Sequence, residues 1–396
     1  KVRGEIEKLV DKGRLQTKLT LGSKVSEVEE ETKKFLGCKY TCFLSCATHG
    51  FEIAYKFAGL KPGDEVIAPA ITFIATISYP LSVGAKVVFA DVDPDSGNLS
   101  AETIARVLTP RTRAVICVHL AGWPCDMDPI MALADERGLK VIEDCAQAHG
   151  ARYKGRSVGS IGHVGAWSFC QDKIMSTGGE GGMVTTQDEA LWRAMWEYKD
   201  HGKSHEAVYQ RQHPPGFRWL HESFGTNWRM LEMQAAIGRI QLRRMLEWTV
   251  RRTSNAKALW AACRPHAVVR VPDFCAMPLG SMHAHYKCYL YVRPEYLAPG
   301  WSRDRIVEAM QAEGVPCYQG SCSEVYLEKA FDGTGWRPAE RLPVARELGD
   351  TSLMLLVHPT LGADEIHRSC RALDKVLALA SIPAQAAQPA PACDCV

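Results

Sequence analysis

Lys173 closes the run Ser168-Phe169-Cys170-Gln171-Asp172-Lys173 and stands shortly before the cluster Gly178-Gly179-Glu180-Gly181-Gly182. A lysine amine is protonated at neutral pH and gains nucleophilic character through burial or through imine formation with an aldehyde. The small residues around it leave room for a flat ligand against the backbone. Taken alone, the pattern also suits a surface lysine beside a glycine turn.

Upstream, the run Val141-Ile142-Glu143-Asp144 ends in a carboxylate, and Cys145-Ala146-Gln147-Ala148-His149-Gly150 follows. Ligands of open α/β sheets lie at the carboxyl ends of parallel strands, which is where Asp144 falls. An aspartate there can pair with a protonated ring nitrogen, and pyridoxal phosphate works as an electron sink only in that protonated state. Asp144 alone also reads as a helix N-cap. Paired with Lys173, it becomes half of a lysine–aspartate constellation.

A phosphate end is present as well. Leu44-Ser45-Cys46-Ala47-Thr48-His49-Gly50 joins an apolar strand to a helix start, where backbone N–H groups and the Thr48 hydroxyl form an anion site or a plain cap. In Pro69-Ala70-Ile71-Thr72-Phe73-Ile74-Ala75-Thr76, Phe73 follows another short strand, either as a core residue or as cover for one face of a ring.

The elements that must position these groups alternate. Short, β-branched, unalternated runs at Glu65–Ala68, Lys86–Ala90, Ala114–Val118 and Lys140–Ile142 predict strands buried on both faces. Ala101–Leu108 and Met127–Arg137 carry helical periodicity, and Gly138 stops the second. Ser26-Glu27-Val28-Glu29 reads as a capping box opening a helix that Gly37 ends. The series is α/β, a mostly parallel central sheet flanked by helices. A long helical stretch from Met230 to Trp248 marks a change near Leu246. The expected division is a large unit over 21–246, a smaller α+β unit over 247–380 joined by 1–20, and a disordered low-complexity tail over 381–396.

The chain has 396 residues with 47 basic and 45 acidic side chains, a formal net charge of +2, which provides no drive toward nucleic acid or an anionic membrane. No apolar run approaches the roughly 20 residues of a membrane helix. The 15 cysteines are not spaced as a small stapled scaffold, and no apolar leader precedes them, so they read as reduced thiols of a cytoplasmic protein. His283-Ala284-His285 lacks partners at zinc spacing, and no metal is expected. Arg243-Arg244 and Arg251-Arg252 read as a solvated helix face. Gly159-x-x-Gly162-x-x-Gly165 leads into the apolar run Val164–Phe169 instead of opening a helix, which argues against a nicotinamide dehydrogenase.

From about Ser23 to Leu373 the chain resembles the DegT/StrS-type sugar aminotransferases, fold-type I enzymes dependent on pyridoxal phosphate. The resemblance implies that Lys173 carries the cofactor as a Schiff base and that Asp144 holds the ring nitrogen. It further implies that Gln147 sits near the ring hydroxyl, that Phe73 stacks on the ring, and that Ala47, Thr48 and Ser168 bind the phosphate. Gly225-Thr226-Asn227-Trp228-Arg229-Met230 is similar to the segment whose asparagine reaches the partner subunit's cofactor phosphate, so Asn227 implies a homodimer with shared sites. Lys199-Asp200-His201-Gly202 and His358-Pro359 match weaker landmarks.

Two departures stand out. Cys46-Ala47-Thr48 replaces a usual Ser-Gly-Thr, and Cys170-Gln171-Asp172 is more polar than the family's segment. The implied reaction moves an amino group from glutamate or glutamine, through pyridoxamine phosphate, to a keto sugar, nucleotide-linked, in amino-sugar biosynthesis. The alternatives are a keto-inositol acceptor, a sugar dehydratase, which would carry histidine at the lysine position, or a non-catalytic regulatory paralogue, which would have lost Lys173 or Asp144.

Overall fold

The computed structural model describes residues 1–11 and 23–382, so the tail expected from 381 lies, from 383 onward, outside the described residues. Seven strands form the main sheet in the spatial order Tyr40–Leu44, Gly182–Thr186, Val164–Ser168, Lys140–Asp144, Thr112–Val118, Glu65–Pro69 and Lys86–Ala90. The last five run parallel, and Gly182–Thr186 is antiparallel to both neighbours. Helices cover both faces, which is why strands such as Val164–Ser168 are buried throughout and show no polar alternation. The predicted strands are recovered, with Asp144 as the final residue of its own.

The helix Lys24–Leu36 begins earlier than its sequence suggests. Its cap is Ser23, whose hydroxyl accepts from the Ser26 amide, a bond worth about 1 kcal/mol. Glu29 does not reach back to close a box at Ser26, because its carboxylate accepts from the Phe43 amide at 3.0 Å and ties the helix to the first strand. Gly37 does end the helix, in the left-handed conformation at φ 72° that a side chain disfavours.

The predicted stretch from Met230 to Trp248 is two helices, Glu232–Leu242 and Met245–Cys263, broken at Arg243-Arg244. The second spans two cores. Met245 and Trp248 pack into the cluster beneath the main sheet, whereas Ala256, Leu259 and Cys263 pack against a smaller antiparallel sheet. That sheet runs Val269–Arg270, Cys288–Val292, Ser352–Leu355, Cys317–Tyr318. Leu246, where the sequence suggests a change, lies in the first turn of this helix. The helix Val2–Asp11, expected with the smaller unit, instead packs on Glu232–Leu242, with Leu9 buried. Arg252 is also no solvated residue: it is buried and donates to the carbonyls of His285 and Tyr286. Twelve of the described cysteines are free thiols. No described helix is long and apolar enough to cross a membrane.

Candidate active site

The carboxyl end of the strand Lys140–Asp144 delivers Asp144 into the interior. Its Oδ2 accepts from the Thr76 hydroxyl at 2.8 Å and its Oδ1 from the Ala146 amide at 3.0 Å. Thr76 lies in the first turn of the helix Ala75–Ser82 and itself accepts from Thr72 at 3.0 Å. Burial raises the Asp144 carboxyl above its ordinary range; the Ala146 amide, the Thr76 hydroxyl and the charge of Lys173 oppose the shift without reversing it. A buried carboxylate in this state gains from any cationic donor placed against it.

Lys173 follows the strand Val164–Ser168 in a loop that returns to the sheet at Gly182. Its side chain is only 16% exposed, with Nζ 3.8 Å from Asp172 and 5.2 Å from the centre of the Tyr286 ring. The polar segment before it now has a structural account: Asp172 accepts from the Tyr286 hydroxyl at 2.7 Å and from Cys170 Sγ at 3.2 Å. Burial would raise the Asp172 carboxyl, but Tyr286, Lys173 and Cys170 together hold it below its usual range. Burial and Asp172 push the Tyr286 phenol strongly upward, so it remains a donor.

Gln147 joins the same region. Its Oε1 accepts from the Ala121 amide at 2.8 Å, and its Nε2 lies 3.6 Å from Cys322 Sγ. Burial drives the Cys322 thiol up to about 11, although Gln147 and the Lys173 charge act the other way. His149 is buried among Trp167 and Phe169, and burial, then the charges of Lys173 and Arg252, push it down to about 3, so it is a neutral ring.

At the same carboxyl edge of the sheet, two strands over from Val164–Ser168, Ala47 and Thr48 open the 11-residue helix Ala47–Phe57, whose N-cap Cys46 provides no side-chain bond to the first amides. Uncapped N–H groups at a helix start attract anions. Ser168 pairs in register with Gly182, and a Cβ on Gly182 would stand 2.3 Å from the Cys46 backbone. Only glycine lets that strand approach the helix start so closely. Phe73 is 63% exposed on the wall of a cavity of about 540 Å³ that also takes in Cys322, Ser321, Gln319 and Arg303. Asn227 is exposed, makes no side-chain hydrogen bond among the described residues, and pairs as a bridge with Asp200. Its neighbour Trp228 stacks on His49 at 4.3 Å and accepts from the Ser45 amide through its carbonyl.

The fold therefore brings Asp144, Gln147 and Lys173 into one neighbourhood around Cys322, sets the helix start at Ala47-Thr48 and Ser168 beside Gly182, and leaves Phe73 and Asn227 exposed. Thr76, Tyr286 and Cys322 are additions the sequence reading missed. Thr76 had a signal, standing one helical turn after Thr72; Tyr286 and Cys322 had none, being remote in sequence.

A close His119–Glu143–Cys145 group lies behind Asp144, but its geometry is that of a hydrogen-bond network. Glu143 already accepts from the Gly159, Ile161 and Gly162 amides and from His119 Nε2, while His119 Nδ1 accepts from the Cys125 amide. Burial raises the Cys145 thiol well above its usual range, so it stays protonated.

The mostly parallel sheet flanked by helices is the fold of the fold-type I, pyridoxal-phosphate-dependent transferases. The family model of the DegT/DnrJ/EryC1/StrS aminotransferases matches residues 2–374, and the chain belongs to that family and is an aminotransferase. It is 33% identical to a UDP-N-acetyl-3-dehydro-alpha-D-glucosamine 3-aminotransferase of Acidithiobacillus ferrooxidans, over 90% of this chain and 89% of that one. It is 32% identical to the GDP-perosamine synthase of Caulobacter vibrioides over 90% and 91% of the two chains. The X-ray structure of an aminotransferase from Psychrobacter cryohalolentis superposes with a TM-score of 0.92 at 54% identity, covering 95% of this chain and 96% of that one.

Proposed function

We propose that the protein transfers an amino group from glutamate or glutamine to a nucleotide-linked keto sugar, using pyridoxal phosphate held by Lys173. The observation that carries this reading is the buried Asp144 at the end of a parallel strand, raised in pKa by burial and within reach of the Lys173 charge. Its partner Thr76 is bonded to Thr72, on the wall of the polar cavity that also holds Phe73. The residues fit the cofactor. A helix start without a side-chain cap suits a phosphate, Asp144 a protonated ring nitrogen, Gln147 a ring hydroxyl, Phe73 a ring face and Lys173 an aldehyde. When bound, the cofactor supplies an electron sink for charge developing at the donor's α-carbon.

The chain's own groups do the rest. Asp144 keeps the sink protonated. Lys173 takes the proton from the donor's α-carbon and in the second half-reaction returns one at the former keto carbon of the acceptor. Asp172 and Tyr286 orient the lysine, the first by an ion pair and the second by its ring face. Arg303, Gln319 and Ser321 offer the directional polar contacts that a hydroxyl-rich acceptor needs.

The reading draws further support from the names of the two relatives, which act on UDP- and GDP-linked sugars. The test incubates purified enzyme, glutamate or glutamine, and a panel of UDP-, GDP- and dTDP-linked 3-keto and 4-keto sugars. At least one acceptor should yield an amino sugar with stoichiometric 2-oxo acid. Formation of the 2-oxo acid with no acceptor aminated would contradict the nucleotide-sugar assignment and favour a cyclitol.

We further propose a homodimer in which Asn227 serves the partner's cofactor phosphate. Phe217, Trp219 and Phe224 stand exposed on the segment just before it, an apolar surface of the kind that partners cover. Two inactive variants, Lys173→Ala and Asn227→Asp, are mixed under conditions of subunit exchange. A shared site predicts recovered activity, because a heterodimer then has one site with both lesions and one with neither. Absence of recovery despite demonstrated exchange would refute the sharing.

A further inference from the structure

We propose that the cleft between the helix Met245–Cys263 and the segment 274–285 is a second ligand site, shaped for a nucleotide, meaning a flat base carrying phosphate charge. The cleft measures about 570 Å³, within the size range of small-molecule sites. Lys257, Trp260 and Arg264 lie on it at helical spacing. Among the described residues the two cations, both exposed, make no ion pair, and none of those lining the cleft is a carboxylate. Seven positions along a helix set them about 10 Å apart, a span suited to an extended diphosphate rather than to one compact anion.

The ring side is equally defined. Trp260 and Phe274 stand 4.4 Å apart with their planes tilted by 49°, and Trp123 braces Phe274 from behind at 4.7 Å. Met282 adds a flexible apolar contact. At the floor, His283 and His285 stack at 4.2 Å, and His285 Nδ1 is buried without a hydrogen-bond partner. Burial, then the charges of Lys257 and Arg252, holds His285 down at about 3, so its ring is neutral. Aromatic faces beside unpaired cations form the combination that binds bases and phosphates together.

The cleft is separate from the catalytic pocket but shares a wall with it. Ala284 and Tyr286 donate to the Gly122 and Ala121 carbonyls at 2.9 and 2.8 Å, which turns His283 and His285 toward the cleft and Tyr286 toward Asp172 and Lys173. The Ala121 amide in turn donates to Gln147. An occupant of the cleft therefore bears on the back of the backbone that carries Tyr286.

The test exposes holoenzyme to UDP, GDP or dTDP at millimolar concentration and follows hydrogen–deuterium exchange by peptide. Exchange should slow in 253–264 and 274–287. In the double variant Lys257→Glu/Arg264→Glu, whose sites are exposed, the affinity for that effect should fall at least about tenfold, with the glutamate half-reaction, measured without any nucleotide, unchanged. Inorganic phosphate and uridine should not reproduce the effect. No slowing with any of the three diphosphates, or slowing that survives the double variant, overturns the site. So does equal slowing by phosphate alone. Protection confined to 168–182 and 319–325 also overturns it, while leaving the proposed acceptor class intact.

Discussion

Lys173→Ala should fold normally, bind pyridoxal phosphate without a covalent link, and turn over at least about 10²- to 10⁴-fold more slowly, the range set by losing a positioned proton carrier. The fold has little stake in this side chain. Its nearest charged partner is Asp172 at 3.8 Å, and its neighbour Tyr286 keeps its own bond to Asp172 when the amine is gone. Kinetics with glutamate and cofactor absorbance, measured on the same preparation beside a thermal melt, check this. An unchanged melt with a collapsed rate is the expected result. A rate within tenfold of wild type would remove Lys173 from the chemistry.

Asp144→Asn should separate activity from stability in opposite directions. The half-reaction should slow by about two orders of magnitude or more, because an amide cannot keep the ring nitrogen protonated. The cofactor-free protein should instead become more stable at neutral pH. Burial raises the folded pKa of Asp144 above its ordinary 3.8, so the folded state binds this proton more tightly than the unfolded one. Stability then falls as pH rises through the interval between the two values, and above it the ionised carboxylate is a constant penalty. The asparagine variant escapes that penalty, so its advantage should be present at pH 7 and vanish below about 3.8. Melting curves of the two apoproteins across pH measure it. An advantage that grows on acidification would contradict the sign.

The strands were legible because burial on both faces writes itself as short unbroken β-branched runs, as in Lys86–Ala90 and Lys140–Asp144. Gly37 and Gly138 were legible as helix stops because both adopt left-handed backbone, at φ 72° and 65°. Asp144 was legible as a carboxylate at the carboxyl end of a parallel strand, and the strand Lys140–Asp144 does end on it. Long-range partners were not. Glu29 looked like a capping residue because nothing nearby in sequence announces that the Phe43 amide claims its carboxylate. Arg252 looked solvated because its acceptors are carbonyls on a wall more than thirty residues away. The same distance concealed Tyr286, whose contact with Asp172 spans 114 residues. Local pattern reports periodicity and backbone demands, whereas the partner of a buried polar group is a property of the packed chain.

The central claim is that Lys173 is the residue that holds pyridoxal phosphate. Borohydride reduction of the purified holoenzyme, followed by proteolysis and mass spectrometry, tests it most directly. The account predicts one phosphopyridoxyl group per chain, on the peptide containing Asp172 and Lys173 and on Lys173 itself, and none in Lys173→Ala. A stable adduct on another lysine, such as the half-buried Lys287 across the pocket, or no adduct on a protein that still transaminates, would contradict it.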